Sequence, residues 1–160
     1  MLGEATRQDR GALDAALECG FPCGGWCPEG RKAEDGPIGA VYPLTILPAA
    51  GYWQRSKQNI IDSDGTLVIH FGPLAGGSRR TARYCGQLAK PVCLVDGLAM
   101  DERATCYQVA AFLSGRGIET LNVAGPRESK HPGAAGYAKA VMSLLLSALR
   151  AQESAVWLTP

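Results

Sequence analysis

An excess of charge of either sign is what this sequence most clearly lacks: 16 Lys and Arg face 15 Asp and Glu in 160 residues, a formal net charge of +1. That balance gives no global field to draw the chain onto nucleic acid or an anionic membrane, so any anion site must be local. Histidine is scarce, at His70 and His131 alone, and neither sits in a His-Glu zinc motif or near a Ser-x-Gly nucleophile elbow. Long hydrophobic runs are missing as well. Met1-Leu2-Gly3-Glu4-Ala5-Thr6-Arg7 holds no apolar signal core, and the stretch around Leu144-Leu145-Leu146 is far too short to span a bilayer. These absences point to a cytosolic protein with neither membrane nor nucleic-acid polymer as partner. No internal repeat or linker interrupts the chain, and its length suits one domain, residues 1–160, around one core.

Six cysteines are present, and in a cytosolic α/β chain they read as reduced thiols of the interior rather than a disulfide framework. Cys19, Cys23 and Cys27 recur every four residues, but Gly20, Pro22 and Gly24-Gly25 break any helix that would stack them. Without a fourth ligand they are not read as a metal site.

Helical and strand-like patterns alternate from end to end, which predicts an α/β, Rossmann-like three-layer fold with a mostly parallel sheet. Helices are expected over 9–18, 52–62, 78–89, 101–114 and 134–150, and strands over 65–71, 91–95 and 121–125. The run Gly65-Thr66-Leu67-Val68-Ile69-His70-Phe71 is apolar without alternation, as in a strand covered on both faces, and is placed centrally. Residues 28–37 are too rich in Gly, Pro and charge for regular structure and read as a long surface loop.

Ligands of open parallel sheets bind outside the carboxyl ends of the strands, and three loops qualify. In the first, Ala75-Gly76-Gly77-Ser78 leads from a strand into a helix. Its glycines permit close backbone approach, and Ser78 can cap the helix and leave amides facing an anion. Arg79, Arg80 and Arg83 add charge nearby, although helical arginines are usually just solvated. The second is Gly125-Pro126-Arg127-Glu128-Ser129-Lys130, in which Arg127 can grip an anion and Glu128 can take a proton, or which is simply a charged loop. The third joins Gly24 and Gly25 to Trp26, Arg31 and Lys32. His70 reads as a strand-end core residue.

Six ordered blocks carry a resemblance over nearly the whole chain. They are Asp9-Arg10-Gly11-Ala12-Leu13-Asp14, Gly24-Gly25-Trp26-Cys27-Pro28, Gly30-Arg31-Lys32-Ala33-Glu34-Asp35-Gly36, Asp62-Ser63-Asp64-Gly65-Thr66, Gly76-Gly77-Ser78 and Asn122-Val123-Ala124-Gly125-Pro126-Arg127-Glu128-Ser129. Together they resemble the putative molybdenum carrier family, the circularly permuted YpsA branch of the SLOG superfamily, related to the lysine-decarboxylase-like "lonely guy" proteins. The resemblance implies binding of molybdenum cofactor (molybdopterin) or a nucleotide-like ligand through its phosphate, and a homo-oligomer, dimer or tetramer. It implies Gly76, Gly77, Ser78 and Thr81 as the phosphate cradle, with Gly125, Arg127, Glu128 and Ser129 across the crevice and Arg31 and Lys32 in support.

The family opens with a hydrophobic strand ending in Gly-Gly-Gln-Thr-Gly, where this chain reads Gly3-Glu4-Ala5-Thr6-Arg7. The first strand and its loop are therefore expected to be lost or altered, and the strand-like Ser154-Ala155-Val156-Trp157-Leu158-Thr159 is a candidate to cover the gap. Three functions fit: a cofactor carrier, a nucleotide N-glycosidase or phosphoribohydrolase using Glu128 and Arg127, or a non-catalytic nucleotide sensor. The hydrolase signature Pro-Gly-Gly-x-Gly-Thr is replaced by Leu74-Ala75-Gly76-Gly77-Ser78-Arg79.

Overall fold

The computed structural model describes residues 7–33 and 36–156. Three parallel strands form the main sheet: β5 (Gly65–His70) lies between β6 (Val92–Asp96) and β7 (Leu121–Ala124), in the order β6-β5-β7. Thr66 pairs with Val92 on one side and Asn122 on the other. The central position of β5 follows from its sequence, since its first five residues are all buried and only a strand covered on both faces supports such a run.

Alternation along the strands divides the helices between two faces. Leu67, Ile69, Val95, Leu121 and Val123 join the core under α1 (Arg7–Glu18) and α5 (Ala134–Val156), which supply Leu13, Met142 and Leu145. Thr66, Val68 and His70 alternate with these residues and face the other way. On that side α3 (Gly76–Gln87) packs on β5 and β6, and α2 (Tyr52–Asp62) packs on α3. The remaining helix, α4 (Glu102–Arg116), follows the ordinary rules for helix ends. The Asp101 carboxylate accepts from Ala104 N at 2.8 Å, and Gly117 closes the helix at φ 59°.

Several expected boundaries change. Residues 28–37 are not wholly irregular: a 3-10 turn at Glu29–Arg31 precedes a two-residue antiparallel ladder of β2 (Lys32–Ala33) with β3 (Gly36–Pro37). β1 (Trp26–Cys27) pairs in parallel with β4 (Thr45–Ile46). Helix α3 begins at Gly76 rather than Ser78, so both glycines lie in its first turn and Ala75 is the N-cap. The proposed strand in the tail is also corrected. Residues 154–156 continue α5 as helix, because residues 151–156 contain no proline or glycine to stop it; Trp157, Leu158 and Thr159 lie outside the described residues, as does the altered opening over residues 1–6.

Candidate functional site

A cleft of about 1100 Å³ opens at the carboxyl ends of β5 and β7, bordered by the starts of α2 and α3 and by the loop after β7. Six cationic side chains line it: Arg55, Arg79, Arg80, Arg83, Arg127 and Lys130. Among the described residues no Asp or Glu does. In a chain of almost balanced charge, this is the local field that composition alone could not reveal.

Both helix starts depart from the pattern of α4. Gly51 and Ala75, the N-caps of α2 and α3, make no side-chain capping bond, and neither first turn holds an acidic residue. In α3 the first intrahelical bond runs from Arg79 N to Ala75 O at 3.2 Å, which leaves the amides of Gly76, Gly77 and Ser78 without a helical acceptor. Gly76 has φ +54°, a conformation that favours glycine, and a Cβ placed on Gly77 would meet nothing within 4 Å. Ser78 and Thr81 are only 5% and 6% exposed and border the cleft, yet among the described residues neither hydroxyl has a hydrogen-bond partner. Neither oxygen is itself sealed from solvent, so both hydroxyls open into the cleft and are free to meet a ligand there.

Aromatic rings stand beside several of the cations. Arg80 lies 5.2 Å from the Trp53 ring centre, and Lys57 lies 5.4 Å from the same ring and 5.2 Å from Tyr84. Arg127 and Arg55 lie 5.3 and 5.9 Å from the Tyr52 ring. A ring face orients a guanidinium without cancelling its charge.

The structure brings Gly76, Gly77, Ser78, Thr81, Gly125 and Arg127 to this cleft and takes other candidates elsewhere. Glu128 turns to the opposite side of its loop, where Oε1 accepts from Gly133 N at 2.6 Å and Oε2 from Ala135 N at 2.9 Å. It thus satisfies free amides at the start of α5 and borders a smaller pocket of about 350 Å³ with Asp14 and Lys139. Ser129 does not line the cleft. Arg31 is absorbed into the fold, since its guanidinium donates to the carbonyls of Ile38, Gly39, Tyr42 and Leu44 at 2.8–3.0 Å. Lys32 is exposed in β2, and Gly24 and Gly25 lead into β1, where Gly25 O accepts from Thr45 N at 2.8 Å; none of the three lines the cleft.

Sequence reasoning missed Tyr52, Trp53 and Arg55, whose signal is a run of rings and a cation at a helix start with no acid. It also set aside the histidines, and both line the cleft. His131 stacks on Phe71 with ring centres 3.9 Å apart and planes 11° apart. His70 is half-buried, and its Nδ1 lies 2.8 Å from Gly72 O. A carbonyl only accepts, so Nδ1 carries the proton.

Asp96 holds the backbone beside this histidine. Its Oδ1 accepts from Gly72 N at 2.9 Å and Leu98 N at 3.0 Å. Those amides, Gly72 first and then Leu98, with a smaller contribution from the His70 ring, hold the carboxyl below the ordinary Asp value. A depressed folded-state value gives a contribution present above the unfolded pKa, about 3.9, and lost as pH falls through the folded one. Asp96→Asn keeps an accepting oxygen but cannot titrate. Its melting temperature should therefore fall less steeply than that of the wild type below about pH 4; superimposable profiles would exclude this role.

A parallel three-strand sheet flanked by helices, with its cleft at the strand ends, defines a Rossmann-like α/β protein. The chain belongs to the circularly permutated YpsA SLOG family, whose model matches residues 1–146. It is similar in structure to a protein of Syntrophus aciditrophicus SB described as a "putative molybdenum carrier protein". The TM-score is 0.83 at 36% identity, covering 86% of this chain and 87% of that one. No curated protein matches it. No helix among the described residues is long and apolar enough to cross a membrane.

Proposed function

We propose that this chain is a carrier or binding protein for molybdenum cofactor or a related phosphate-bearing ligand. The phosphate would lie against the amides of Gly76, Gly77 and Ser78 and the hydroxyls of Ser78 and Thr81, faced by Arg127 and Lys130. The observation that carries this reading is the pair of unpartnered hydroxyls, on largely buried residues, that open into a cleft lined by cations and, among the described residues, by no carboxylate. An anion supplies the acceptors that both hydroxyls and all three amides lack. The described residues hold no group of three His, Cys, Asp or Glu side chains that could hold a bare metal ion. A molybdenum-bearing ligand would thus be gripped through its phosphate and organic ring, and the metal's redox chemistry would belong to the cofactor.

The carrier reading is favoured over an N-glycosidase because Glu128, the required acid or base, caps α5 instead of lining the cleft. Native mass spectrometry with metal analysis of protein purified without chelators should show a phosphorylated ligand of pterin mass together with molybdenum. Protein that is bare by mass and takes up no phosphate ester in titration would refute the proposal.

A finer check uses Gly77→Ala. Its methyl enters open space in the helix's first turn, so the fold should be unharmed or gain up to about 1 kcal/mol. The same methyl occupies the anion's approach to the backbone, and affinity should fall roughly tenfold. Stability by melting and affinity by calorimetry should therefore move in opposite directions.

A further inference from the structure

The arginines of α3 are more numerous than one phosphate requires, and they stand where helix physics opposes them. Arg79 and Arg80 follow immediately on the first turn, where the positive end of the helix dipole repels cations. Arg79 and Arg83 are four residues apart on one face, a like-charge spacing that also weakens a helix. No acidic residue in the first turn offsets them. Among the described residues neither Arg79, Arg80 nor Arg83 makes an ion pair, and all three are exposed yet border the cleft. Arg80 has the Trp53 ring beside it at 5.2 Å. Local rules broken in this way mark positions set by function rather than by folding.

A phosphate monoester seated at Gly76 and Gly77 and met by Arg127 and Lys130 would leave these three charges unanswered. The cleft, at about 1100 Å³, also lies just above the roughly 300–1,000 Å³ typical of one small ligand. Resting on the phosphate-binding reading above, we infer that Arg79, Arg80 and Arg83 form a second anion subsite, so that the ligand is an organic di- or polyphosphate rather than a monoester. Its first phosphoryl group sits at the start of α3 and the next lies along the arginine face of that helix.

The test needs no knowledge of the organic part. Wild-type protein is titrated calorimetrically with inorganic phosphate and with inorganic pyrophosphate, at low salt and again at higher salt because exposed charges are screened. Pyrophosphate should bind at least roughly tenfold more tightly at low salt. In Arg79→Gln/Arg83→Gln, which keeps helix propensity nearly constant, that preference should shrink to about threefold or less. The melting temperature of the unliganded variant should not fall, since the lost charges oppose the helix dipole. Equal affinity of the wild type for the two anions overturns the second subsite and leaves the phosphate site standing. Failure to bind either anion removes both readings. A preference that survives the double substitution, or a variant that melts lower or does not fold, also overturns the inference by showing that these arginines serve something other than a second phosphoryl group.

Discussion

Gly11→Ala should lower stability by about 3 kcal/mol, at the upper end of the usual penalty for overfilling a packed interface. A Cβ on Gly11 would overlap the main-chain carbonyl oxygen of Ala135 and press on Lys139 N. Backbone cannot rotate aside as a side chain does, so α1 and α5, whose contact builds one whole face of the core, would have to separate. For a chain of this size each kcal/mol lowers the melting temperature by roughly 2–4 °C, so a fall of about 6–12 °C is expected. The same exchange at Gly86, an exposed α3 position with open space around its Cβ, should stabilise by up to about 1 kcal/mol through helix propensity alone. Opposite signs at the two glycines would isolate close helix approach as the cause. A Gly11→Ala protein melting at or above the wild type would mean that α1 and α5 do not meet as described.

That contrast shows what the sequence makes legible. The strand at Gly65–His70 and the helix at Tyr52–Asp62 stand where periodicity puts them, because both patterns are local and long enough to exclude alternatives. A short strand-to-loop transition over 21–27 is legible and ends in β1, but the two-residue strands β2 to β4 are not. Their pairing depends on partners such as the Arg31 guanidinium, which gathers carbonyls from residues 38–44 and carries no period of its own.

The candidate site divides along the same line. Gly76-Gly77-Ser78 follows directly on a buried strand, so its place at the sheet's end can be read from order alone. Tyr52, Trp53 and Arg55 come from a helix preceding that strand and reach the cleft through the packing of α2 on α3 and β1. Arg31 and Glu128 lie away from the cleft, which their sequence does not reveal: charged residues in glycine-rich loops look alike whether they face a ligand or the protein's own backbone. Only the carbonyls around Arg31 and the amides around Glu128 tell the two cases apart.

The largest effect on binding is expected from Arg127→Glu. Arg127 is exposed, touches the Tyr52 ring face and lines the cleft, so its replacement should change folding stability by no more than about 0.5 kcal/mol, as at other surface positions. A hydrogen bond to a charged group contributes about 1.5–3 kcal/mol, and the new carboxylate adds repulsion of a phosphate at close range. A total near 3 kcal/mol corresponds to roughly a hundredfold loss of affinity for a phosphate monoester. Lys139→Ala serves as the control, because Lys139 is paired with Glu18 at 2.6 Å, outside the cleft; it should bind like the wild type. Glu128→Gln separates carrier from hydrolase on the same instrument. An anchored Glu128 predicts weaker binding through a loosened 126–133 loop and no turnover of nucleoside monophosphates to lose. Release of free base by the wild type, abolished in Glu128→Gln with affinity unchanged, would instead restore the catalytic role. Unchanged binding by Arg127→Glu would move the phosphate away from the loop after β7 and leave the start of α3 to hold it alone.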